Sequence, residues 1–210
     1  MPGKINPKIR SCRTLFVIFF MVCLWFTPGI AGEPAGGDSP QAVFDMAQAA
    51  GAKKDFSTLA KMVAPSERPM LAFATDMGVG MLVEFYEGEK STELKKKYKE
   101  IQNKYGIENN KEDEGETLKI TNDTPQEVID AHIRKRAKKL YGHVDAVKFV
   151  PDLMGIIATM PEMSEQAFFP QEKLSNLKID GDRATGEAGE KKISFLREDN
   201  RWYLTAGFME

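Results

Sequence analysis

The stretch LKIDGDRATGEAGEKKISFLREDNRWYL, residues 177–204, decides how this chain folds. Leu177 and Ile179 alternate with Lys178 and Asp180, the period-two pattern of a half-buried strand, and Asp180-Gly181 is a tight-hairpin signal. Residues 183–188 then form the returning strand, Gly189-Glu190 a second turn, and 192–197 a third strand. Glu198-Asp199-Asn200 turns the chain into a fourth strand over 201–208, with Trp202, Leu204, Ala206 and Phe208 on one face. The inward positions read Leu177, Ile179, Ala184, Ile193, Phe195, Trp202 and Leu204. Such an antiparallel meander has an apolar side that the elements before it must cover.

Those elements read as helices. Ser39 caps the first, with Pro40 at its opening position and Ala42, Val43, Met46, Ala49 and Ala50 as a stripe. Asp55 caps a short second helix holding Phe56, Leu59, Ala60, Met62 and Val63, which stops before Pro65. Over 69–86, Met70, Phe73, Ala74, Met77, Met81, Leu82 and Phe85 recur at three- and four-residue spacing. Asp76 and Glu84 in this segment are costly in lipid, so it reads as a buried core helix rather than a membrane span. Gly78 and Gly80 imply close approach of another backbone. A helix over 91–105 carries Leu94, Tyr98, Ile101 and Tyr105 among lysines, and 109–116 is an acidic loop. Thr124 and Pro125 open a helix whose buried face is Val128, Ile129, Ile133, Ala137, Leu140 and Tyr141. Residues 144–160 are apolar again, with a break expected at Pro151 and a short helix from Asp152.

The N-terminal segment differs from the rest. Lys4, Lys8, Arg10 and Arg13 precede the apolar run TLFVIFFMVCLWF, then Pro28-Gly29 and the small residues Gly29 and Ala31. That order is a secretory signal peptide over 1–31, with an uncleaved inner-membrane signal anchor as the alternative. Residues 32–38 form a flexible linker, and 39–210 a single α+β domain, helical over 39–160 and sheet over 174–208. Cys12 and Cys23 both fall in the signal segment, so the exported chain would hold together by burial alone. Removing the four cations leaves 25 basic against 31 acidic side chains, an acidic balance that excludes general nucleic-acid binding. Export places the protein in the periplasm or outside the cell, touching the membrane only transiently through the signal peptide.

Two pieces of the chain carry a resemblance. SPQAVFDMAQAAGAKKDFSTLAKMVAPSE (39–67) is similar to the helix, short acidic break and helix that open many exported bacterial members of the nuclear-transport-factor-two-like superfamily. LKIDGDRATGEA with FLREDNRWYL resembles that family's strand, turn, strand and aromatic final strand. The resemblance implies a cystatin-like α+β roll, with a concave sheet and a helix-covered pocket used by enzymes and by non-catalytic binding modules alike. The extra helix over 91–160 and the count of only four strands depart from the compact family pattern.

Catalysis in such a cavity needs an ionisable group aimed inward, and none of the inward strand positions titrates. Asp45 and Asp76 are the carboxylates placed to point inward from apolar helices. A buried Asp76 is either a general base or a satisfied polar residue, and the second reading is taken here. His132 and His143 lie too far apart for helical metal ligation. A phosphate loop, GxSxG and HExxH are all absent, and no cofactor or metal is expected. Arg134, Lys135, Arg136, Lys138 and Lys139 form either a face for an anionic partner or the solvated side of an amphipathic helix, the reading preferred here. Phe195, Trp202 and Leu204 are the candidate pocket lining. The sequence thus reads as an exported, non-enzymatic α+β protein: a helical N-terminal two-thirds packed on a C-terminal antiparallel four-stranded meander. It would bind a small apolar ligand or an envelope protein. The alternative is a small-cavity lyase or isomerase using Asp76.

Overall fold

The structure, a computed structural model, describes residues 36–107, 121, 123–160 and 167–209. The expected signal segment with both cysteines, the start of the expected linker and the expected acidic loop lie outside these residues. Among the described residues, six α-helices precede a four-stranded antiparallel sheet with strands in the order β1-β2-β3-β4, an α+β architecture. The helices are α1 (Pro40–Ala52), α2 (Phe56–Met62), α3 (Arg68–Phe85), α4 (Ser91–Lys104), α5 (Gln126–Tyr141) and α6 (Ala146–Ile157). The strands are β1 (Leu174–Asp180), β2 (Arg183–Ala188), β3 (Lys191–Glu198) and β4 (Arg201–Leu204). No helix among the described residues is long and apolar enough to cross a membrane.

Local chemistry sets several boundaries. Ser39 Oγ accepts the Ala42 N–H at 3.1 Å, and Asp55 Oδ1 accepts the Thr58 N–H at 3.0 Å, so both expected caps form. Thr124 does not cap α5: the helix begins after Pro125, and the Thr124 hydroxyl instead accepts the Thr121 N–H. Pro151 does not break α6, which runs through it. Proline in a helix interior costs about 3 kcal/mol. Phe149, Val150, Leu153, Met154, Ile156 and Ile157 are all buried on that helix, and each such side chain contributes about 1.5–3 kcal/mol. Burial wins.

Helix α6 is the axis of the core, packed against α2, α3 and α4. Phe149 is fully buried there, with Tyr105 and Tyr141 against its ring. The sheet joins the helices mainly through β4, on which α1 packs. The outer edge of β4 is closed by Gly37, which exchanges two backbone hydrogen bonds of 2.9 and 2.8 Å with Trp202, and by Ala64, whose N–H reaches the Leu204 carbonyl. Gly36 has φ +78 beside this contact, and a Cβ there would lie 2.6 Å from the Trp202 oxygen.

Further expectations need correction. The final strand stops at Leu204, and Ala206–Met209 is a 3-10 turn rather than continued sheet. Leu177 and Ile179 are exposed, at 36% and 59%, because the helices meet the sheet mainly at β4, the strand farthest from β1. The buried face of α3 is Leu71, Ala72, Thr75, Asp76, Val79 and Val83, on the side opposite the expected stripe. Met77, Met81, Leu82 and Phe85 are exposed.

Candidate functional site

Asp76 is 3% exposed, at the middle of α3. Its Oδ1 accepts the Tyr98 hydroxyl at 2.9 Å and the Gln102 amide at 3.1 Å. Its Oδ2 accepts the Tyr141 hydroxyl at 2.6 Å and the same Gln102 amide at 3.2 Å. Tyr98 and Gln102 stand one turn apart on α4, and Tyr141 closes α5, so one carboxylate ties three helices together. Every contact is a donor, which matches an acceptor-only carboxylate. Gln102 also donates to the Tyr98 oxygen at 2.7 Å, which orients that phenol.

The phenols register this setting. Burial, then the Asp76 charge and the hydrogen bond to it, hold Tyr98 far above the ordinary phenol range. Burial, then the Asp76 hydrogen bond and charge, do the same to Tyr141. Both stay protonated and both remain donors. A second, shallower cluster sits where α4 meets α6: Asp152 Oδ2 accepts Lys104 Nζ at 2.7 Å and the Tyr105 hydroxyl at 2.9 Å. Burial raises the Asp152 carboxyl, but these hydrogen bonds and the Lys104 charge outweigh it and leave it below the ordinary carboxylate range.

The C-terminal end of α3 forms the second feature. Met81, Leu82, Phe85, Tyr86, Glu87, Gly88 and Met160 line an apolar groove of about 510 Å³. Phe85 is 76% exposed, and Met77 extends the apolar stripe one turn toward Asp76. The groove holds one carboxylate, Glu87, and no cation.

Among the residues expected from sequence, Asp76 is buried as read, whereas Asp45 is exposed and accepts a hydrogen bond from Gln41. Phe195, Trp202 and Leu204 are buried in the core, and different residues line the groove. Arg134, Lys135, Arg136, Lys138 and Lys139 are all exposed, and Arg134 is ion-paired with Glu67. His143 Nε2 lies 3.2 Å from the Tyr105 carbonyl, and among the described residues no group of His, Cys, Asp and Glu gathers to hold a metal. Sequence reasoning missed Gln102, and it read Tyr98 and Tyr141 only as apolar stripe. The available signal was Gln102 next to Ile101 and four residues after Tyr98. Compared with protein-family models, curated proteins and solved structures, the chain matches none.

Proposed function

We propose that this is an exported, non-enzymatic binding module of the cell envelope, on a scaffold like the nuclear-transport-factor-two-like roll, and that it holds a small apolar ligand in the groove at the end of α3. The observation that carries the reading is the exposure of Met77, Met81, Leu82 and Phe85 beside a concave surface of about 510 Å³. That volume falls within the range of small-molecule pockets, about 300–1,000 Å³. Methionines suit the role, because their unbranched, polarisable side chains fit irregular apolar shapes. Export rests on the basic, apolar and small-residue order of the first 31 residues.

A lyase or isomerase using Asp76 is the second reading, favoured by the burial of that carboxylate. Against it, both carboxylate oxygens already accept hydrogen bonds from Tyr98, Tyr141 and Gln102, which leaves no short path for a substrate proton. Asp76 fits better as a fastening that holds α3 so that its far end stays presented.

Titration with Nile red, competed by a long-chain fatty acid, tests the binding reading. Saturable one-to-one binding is expected, weakened at least tenfold by M81D and F85D but retained by Y105F. Absence of saturable binding, or binding indifferent to both substitutions, would overturn it.

A further inference from the structure

The two edges of the sheet are treated differently. The outer edge of β4 is closed by Gly37 and Ala64, whereas β1 pairs only with β2. An unpaired strand edge is a template for a further strand. The turn Gly181-Asp182 joins β1 to β2 with Asp180 opposite Arg183 and Ile179 opposite Ala184. In a two-residue hairpin the residues flanking the turn exchange both backbone hydrogen bonds, and bonded pairs alternate with unbonded ones. Ile179 is therefore the residue whose N–H and C=O face away from β2.

Its side chain shares the face of Ala184, which is buried, yet Ile179 is 59% exposed. Lys178 and Asp180 flank it on the other face, and neither is in an ion pair among the described residues. The tripeptide is self-complementary. An antiparallel copy set on a two-fold axis at Ile179 places Ile179 against Ile179, Lys178 against Asp180 and Asp180 against Lys178. The residues opposed are the same in both directions, as an isologous contact requires. A bulge between Ser175 and Lys178, with Asn176 at φ 50, ends the regular edge and confines the pairing to this tip.

We propose that the β1 edge is a self-association surface, through which two copies of the chain pair β1 with β1 about Ile179 into one continuous eight-stranded sheet. The surface is independent of the α3 groove. It is short, so the dimer is a weak one whose formation depends on concentration and weakens as salt screens the Lys178–Asp180 pairs.

Sedimentation velocity of the protein as its host produces it, across a concentration series, tests this. The mass is expected to rise toward twice the monomer's. K178D sets like charges against each other and should raise the dissociation constant roughly tenfold. The double variant K178D/D180K restores opposite charges across the axis and should recover the dimer, which a role within the monomer would not produce. I179P removes the outward N–H at an edge position that tolerates proline and should abolish pairing. A mass that never exceeds the monomer's, or a dimer that K178D leaves unchanged, overturns the proposal. A monomer that instead takes up an extended peptide at this edge overturns self-pairing equally.

Discussion

Asp76 works because its partners come from two other helices. Hydrogen bonds to a charged group are each worth about 1.5–3 kcal/mol, so Y98F and Y141F should each lower unfolding stability by about that amount in urea melts. D76A removes the carboxylate that Tyr98, Gln102 and Tyr141 share and should cost more than either. The phenols also predict how stability depends on pH. Their folded pKa values lie above the ordinary phenol value of about 10, because burial and the Asp76 charge penalise the phenolate. Their contribution is intact below that pH. As pH rises past it, the unfolded chain releases protons that Tyr98 and Tyr141 still hold, so stability falls. Melting temperature followed from neutral to alkaline pH should decline, and the decline should be shallower in Y98F/Y141F. The chain has five tyrosines, and absorbance at the phenolate band should show the slow pair ionising only on unfolding. Asp76 was legible in the sequence as a carboxylate inside an apolar helix. Its clamp was not, since convergence of side chains from three helices is written in the periodicity of none of them.

Helix α3 shows what periodicity leaves undetermined. It is apolar nearly all round, so Met70, Phe73, Met77, Met81 and Phe85 make as good a stripe as Leu71, Ala72, Val79 and Val83. The choice between them is made by Asp76, which must face its donors, and by small Ala72 and Thr75, which let neighbouring helices approach. The outcome puts the long methionines and Phe85 in solvent, and the groove follows from it. The two glycines divide as well. A Cβ at Gly78 would meet nothing within 4 Å, whereas one at Gly80 would lie 2.6 Å from the Tyr98 hydroxyl. Gly80 thus makes room for a side chain, not for the backbone expected from sequence. Replacing glycine with alanine within a helix contributes about 0.8–1.0 kcal/mol. G78A should therefore raise stability by about that amount, while G80A should lower it by displacing a phenol held on Asp76. In a Y98F background the nearest remaining ring carbon is 3.1 Å away, so the cost of G80A should shrink. A double-mutant cycle from thermal melts would measure that coupling.

At the scale of the whole molecule, the sequence carried the fold class in two patterns: helical spacing up to residue 160, then alternation with turn residues between strands. How far the helices extend across the sheet is not a local property, and Leu177 and Ile179 were read as inward for that reason. The alternation that should have told inside from outside has the same form on a covered strand and on an uncovered one. The coverage has a dynamic consequence. β4 is held by α1, by Gly37 and by Ala64, and Ile193, Phe195 and Leu204 are 1% exposed or less. β1 pairs with β2 alone, and apart from Leu174 at its start, which packs on the core, its residues are exposed. Local opening free energies follow buried contact, so amides in α6 and β4 should exchange with solvent deuterium only through global unfolding. Those of β1 should exchange through a cheaper opening that frees the β1–β2 hairpin at its outer side. Mass-spectrometric exchange at dilute protein should show this order, with protection rising from β1 to β4. Raising the protein concentration should then slow exchange in peptides spanning Ile179 while leaving β4 unchanged. Uniform protection across all four strands at every concentration would mean that the sheet opens as one unit, and that the uncovered strand is held by more than its single neighbour.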